Sequence, residues 1–122
     1  MPISPIENRI GCIFIPVSDM SRAIEWYSRL LGLPVDKTTH GGLIYNVPIA
    51  GDLGLILDGH KPVTNSSQPL FFFWTANIQQ AYTFLLANNI QLERTIEDIG
   101  SVTTLTFKDP DNNLLMICQR NS

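Results

Sequence analysis

Charge is scarce in this sequence: 16% of its 122 residues are Asp, Glu, Lys or Arg, and eight basic against eleven acidic side chains leave a net charge of −3. With a pI near 5.1 and no Lys/Arg cluster, it lacks the basic stripe that phosphate backbones require, so no nucleic-acid partner is expected. Cysteine is nearly absent too. Cys12 and Cys118 lie far apart, each inside an apolar run, which fits reduced core thiols and excludes a disulfide framework or a C-x-x-C zinc motif. No apolar stretch approaches the roughly 20 residues of a membrane span, and MPISPIENRI lacks the charged-then-apolar pattern of an export signal. The expectation is a cytoplasmic protein with no membrane partner. His40 and His60, the only histidines, fall in a turn and a linker, where exposed side chains are expected. No Ser-His-Asp or paired-carboxylate arrangement can be drawn, and no helix follows Gly41-Gly42 to cradle a phosphate.

What is present is a pattern written twice. The strand-like run Ile10–Val17 leads to Asp19, a capping residue, and then to Met20, Ala23, Ile24, Tyr27, Leu30 and Leu31 at helical spacing, closed by Gly32. The run Leu70–Thr75 leads to Asn77, then Ile78, Ala81, Tyr82, Leu85 and Leu86, with Asn89 where the first copy has Gly32. An offset of 58 pairs Asp19 with Asn77 and Ala23 with Ala81 before one residue drops out, so an internal repeat is expected. Short strands follow each helix: 35–39, 43–47 and 53–57 in the first copy, and 91–95, 102–107 and 114–119 in the second. Asn112, in the turn between the last two, tolerates a left-handed backbone.

Each half therefore reads β-α-β-β-β, with modules at 8–58 and 69–120 and a polar linker at 59–68. Alternation makes both faces of the first strands apolar: Cys12 and Phe14 oppose Ile13 and Ile15, and Leu70, Phe72 and Trp74 oppose Phe71 and Phe73. The fold class expected is α+β, two βαβββ modules forming a curved mixed-sheet cup with the helices outside.

The opening IGCIFIPVSDMSRAIEWYSRLLGLPV and the closing FKDPDNNLLMICQ resemble the two ends of the glyoxalase / bleomycin-resistance / extradiol-dioxygenase (vicinal oxygen chelate) superfamily. In that superfamily four inward strand positions hold a divalent metal, and the resemblance carries them onto Cys12, Ile56, Leu70 and Met116. Leu70 and Ile56 offer no donor atom, and burying an ion beside them would leave its charge uncompensated. No metal or other cofactor is therefore expected. A displaced site using Cys12, Asp58 and Cys118 is the alternative.

The resemblance implies a metal-free protein that binds an apolar or aromatic small molecule in an inter-module or dimer cup, in the manner of the bleomycin-resistance branch, without transforming it. The residues expected at the ligand are Cys12, Phe14, Ile56, Leu70, Phe72, Trp74 and Met116, with Tyr45, Thr104 and Thr106 as rim contacts. Cys12 equally suits a core thiol, and the aromatic residues could simply fill the space between modules. Two other functions stand beside this one: a metal-dependent lyase, thiol transferase or dioxygenase with the displaced site, and a module whose inner surface serves only subunit pairing. A homodimer is expected, because two such modules leave sheet edges open.

Overall fold

The structure, a computed structural model, describes residues 3–122, so the first two residues of the stretch tested for an export signal lie outside it. The chain divides into two compact units between Pro62 and Val63, inside the polar 59–68 stretch.

The first unit consists of β1 (Cys12–Pro16), α1 (Met20–Leu31), a 3-10 turn at His40–Gly42, β2 (Ile44–Val47) and β3 (Gly54–Asp58). Its sheet runs β1-β3-β2, with β1 parallel to β3 and β2 antiparallel to it. Asp19 caps α1 by accepting the Arg22 backbone N–H at 3.1 Å, and Gly32 closes it at φ 65°. Ala23, Ile24 and Tyr27 pack from the helix onto a face made by Ile15, Tyr45, Leu55 and Leu57.

One strand expected here does not form. Residues 35–39 make a single bridge, Thr39 to Ile44, and Val35 is 65% exposed. Thr39 is followed at once by His40, Gly41 and Gly42, all at positive φ, which turn the chain before a ladder can extend. The stretch has no apolar face to bury, so the unit is βαββ rather than βαβββ. The first strand also begins at Cys12, and Ile10 lies outside it, 72% exposed.

The second unit has the full expected order: β4 (Phe72–Trp74), α2 (Ile78–Ala87), β5 (Leu92–Asp98), β6 (Val102–Lys108) and β7 (Leu114–Arg120). Its sheet runs β4-β7-β6-β5, with only β4 and β7 parallel. Asn77 caps α2 by accepting the Gln80 N–H at 3.0 Å, and the Gln119 side chain accepts the Ile78 N–H at 2.7 Å. Asn89 adopts φ 56° where the first copy has Gly32, and Asn112 adopts φ 63° in the β6–β7 turn. That turn is tied by Asp109, whose carboxylate accepts the backbone N–H groups of Asp111 and Asn113 and the Asn113 amide, each at 2.9 Å. Leu85, Leu105, Phe107, Leu115 and Ile117 form the core beneath α2.

Candidate ligand-binding face

A helix covers one face of each sheet, so the other face is where binding chemistry would reside. In the second unit, cross-strand register places residues on that open face in two rows. Phe72 pairs with Met116, Met116 with Thr106 and Thr106 with Arg94; Trp74 pairs with Cys118, Cys118 with Thr104 and Thr104 with Glu97. Leu70 continues the same alternation one step before Phe72.

The β4 end of this face is apolar and open. Leu70, Phe72 and Trp74 are 40%, 44% and 50% exposed, high values for such side chains on a sheet. The Phe72 ring meets the Trp74 indole edge-on with centroids 4.8 Å apart, and the Arg120 guanidinium stands 3.7 Å from the indole centroid. Arg120 thereby takes up one indole face by cation–π contact.

Beside this aromatic shelf lies a cavity of about 260 Å³. Its floor is Thr104, Thr106, Leu114 and Met116, one wall is Arg94, Glu97 and Ile99, and the other is the segment Ser67–Pro69. Asn65 helps to hold that segment by donating to the Asp111 carbonyl at 2.9 Å. Thr104 and Thr106 are buried and line the cavity. The Arg94 and Glu97 charged groups stand 4.0 Å apart, while Glu93 is engaged by Lys108 at 3.3 Å.

The open face of the first unit carries Cys12, Phe14 and Ile56, with Phe14 paired to Ile56 and Ile56 to Asn46. Phe14 is 54% exposed. Tyr45 is not on this face. It is buried under α1, and its hydroxyl accepts the Asp36 backbone N–H at 3.0 Å, so its role is packing and not ligand contact. Strand parity explains this: Tyr45 pairs with Leu57, which faces the helix.

The donor chemistry of the four positions implied by the resemblance does not fit a divalent ion. Ile56 and Leu70 carry no donor, Met116 offers only a thioether and Cys12 a single thiol. The displaced alternative also lacks geometry. Cys12 pairs with Gly54 and Pro16 with Asp58, so Cys12 and Asp58 stand four residues apart along the ladder, roughly 13 Å. Burial pushes the Cys118 thiol pKa up, which disfavours the thiolate a metal needs. Among the described residues no three His, Cys, Asp or Glu side chains come close enough to hold an ion.

Two features carry no mark in the sequence pattern. Arg94 and Glu97 reach the cavity although no alternating pattern in β5 points there, because the register slips between Leu92 and Arg94 and again between Arg94 and Glu97. His40 and His60, exposed as expected, are nonetheless brought together with ring centroids 6.5 Å apart. Asp58 holds His60, accepting its backbone N–H at 2.8 Å and lying 3.0 Å from Nδ1; the backbone bond, with smaller help from the ring, keeps the carboxyl pKa below its ordinary value.

This scaffold has many relatives among solved structures. The antibiotic binding protein TnmS3 from Streptomyces is 19% identical, with 98% of this chain and 100% of that one aligned at a TM-score of 0.77. A glyoxalase/dioxygenase from Nostoc punctiforme is 17% identical over 100% of this chain and 98% of its own, at 0.76. Lactoylglutathione lyase from Agrobacterium tumefaciens is 15% identical over 95% and 96%, at 0.72. At these identities the likeness establishes the fold alone. No curated protein sequence matches the chain. Among the described residues no helix is long and apolar enough to cross a membrane. The family model for the Glyoxalase/Bleomycin resistance protein/Dioxygenase superfamily matches residues 9–117, and the chain belongs to that superfamily.

Proposed function

We propose that the protein binds an apolar or aromatic small molecule on the open sheet face of its second unit, without a metal ion and without transforming it. The observation that carries this reading is the exposed aromatic shelf of Phe72 and Trp74 beside a cavity floored by Thr104, Thr106 and Met116. A concave, partly apolar site with a few placed polar groups is the usual form of a small-molecule pocket. The donor-poor positions Ile56, Leu70 and Met116 support the metal-free part, and an antibiotic binding protein among the structural relatives supports binding without turnover.

The test is a fluorescence titration with aromatic and amphipathic compounds. Trp26 and Trp74 are the only tryptophans, so a Trp26→Phe background makes the signal report Trp74 alone. Binding is expected to change that emission, and Trp74→Ala is expected to weaken affinity several-fold by calorimetry, as removal of an aromatic contact does. Unchanged emission across the panel would overturn the reading. Elemental analysis finding one tightly held divalent ion per chain would overturn its metal-free part.

We further propose that the protein works as a homodimer in the cytoplasm. Support comes from β1 and β4, which are edge strands carrying exposed Phe14, Phe72 and Trp74, and from two free cysteines suited to a reducing compartment. Sedimentation as a monomer at micromolar concentration would refute the dimer.

A further inference from the structure

The two rows across the second sheet change character in a fixed order. Each starts with an aromatic ring on β4 (Phe72 or Trp74), passes a sulfur-bearing side chain on β7 (Met116 or Cys118) and a hydroxyl on β6 (Thr106 or Thr104), and ends in a charge on β5 (Arg94 or Glu97). Strands stand about 4.8 Å apart, so the gradient from ring to charge spans roughly 14 Å. A molecule lying along it would set a ring at the β4 end, where Arg120 already covers one face of the Trp74 indole, and a polar group at the β5 end.

The charged end is balanced. Arg94 and Glu97 face each other at 4.0 Å, longer than a hydrogen bond, so the guanidinium keeps donors and the carboxylate keeps acceptors for a third group. Glu93, the other acid at the cavity, is already engaged by Lys108. An anion brought here would be attracted by Arg94 and repelled by Glu97, and a cation the reverse. A neutral group with a donor and an acceptor side by side satisfies both, and the adjacent Thr104 and Thr106 hydroxyls can serve in either role.

We infer that the ligand is an uncharged aromatic molecule whose polar end carries a hydrogen-bond donor beside an acceptor, and that the Arg94–Glu97 pair selects for that neutrality. The inference rests on the binding role proposed above and adds the ligand's chemical class and the two residues that set it. The cavity, about 260 Å³, suits the polar end of such a molecule, while the ring extends over the Phe72–Trp74 shelf.

Three probes of one shape separate the possibilities: 2-naphthamide is neutral, 2-naphthoate is its anionic counterpart and 2-naphthamidine its cationic one. Calorimetry on the full chain is expected to show 2-naphthamide binding about tenfold more tightly than either charged probe, the scale of one hydrogen bond to a charged group. Glu97→Gln should raise affinity for 2-naphthoate, and Arg94→Met should raise it for 2-naphthamidine, each reversing part of the preference. Both residues are exposed, at 46% and 69%, so the variants retain the core; unchanged circular dichroism confirms this. Equal affinity for all three probes, or tightest binding of a charged one, would overturn the inference and leave the binding role standing. No binding of any probe, together with silent fluorescence in the aromatic panel, would remove both.

Discussion

The two units build corresponding faces from corresponding strands and furnish them differently. Phe14, Ile56 and Asn46 in the first occupy the places of Phe72, Met116 and Thr106 in the second; Pro16, Asp58 and Ile44 occupy those of Trp74, Cys118 and Thr104. The first face stops there because it has no fourth strand, and it lacks the charged end that β5 supplies. Its second row also replaces an indole with a proline and a buried thiol with a carboxylate turned toward His60. The parallel first-to-last strand pair and the capped helix are the shared scaffold, whereas the sequence of ring, sulfur, hydroxyl and charge across the open face depends on the extra strand and a few substitutions on one parity of each strand.

The equivalence of the cores can be broken most forcefully at Leu105 and Tyr45, which occupy matching helix-side places and are both fully buried. Leu105→Ala is expected to cost about 2–5 kcal/mol and Tyr45→Ala a comparable amount, measured by denaturant unfolding. A cost below about 1 kcal/mol at either position would show that the matching place is not a matching core. Next comes a feature of the second unit alone. Asp109→Ala strips three hydrogen bonds from a buried turn and should cost about 2–3 kcal/mol, with loss of the β6–β7 hairpin's hydrogen-exchange protection. The caps sharpen the comparison at a smaller scale: Asp19→Ala and Asn77→Ala should each cost about 1 kcal/mol, and unequal values would mean that Gln119, which caps only α2, shares the load there.

The smallest effect concerns Asp58. Its pKa is held below the ordinary 3.8, first by the His60 backbone N–H, so the ionised form is favoured in the folded state. Its contribution to stability is present above that ordinary value and is lost as pH falls through the lower folded value. Asp58→Asn should therefore be less stable than the parent near pH 5 and approach it under strongly acid conditions. A stability gap that widens on acidification would refute this.

Much of the scaffold was legible because it rests on local chemistry. Capping residues and helical spacing located both helices, and Asn89 could be read as the left-handed counterpart of Gly32 from the repeat alone. Period-2 alternation placed Phe72, Trp74 and Met116 on one face for the same reason. It failed where register slips, as in β5, so Arg94 and Glu97 stayed hidden. It also could not orient Tyr45, whose side depends on its pairing with Leu57 rather than on its own strand's composition. The strand expected at 35–39 failed because three consecutive positive-φ residues turn the chain after a single bridge, Thr39 to Ile44.

The parallel pairing of β4 with β7 has a consequence for the order of assembly. Phe72 meets Met116 across a separation of 44 residues, and α2, β5 and β6 all lie between them. Loop closure over such a separation is slow compared with hairpin or helix formation, so β4 joins the sheet late. On a ribosome, the aromatic shelf remains an unanchored peptide until β7 has emerged. The face that carries Phe72, Trp74 and Met116 is thus completed only after β7 has been made, late in the folding of the unit.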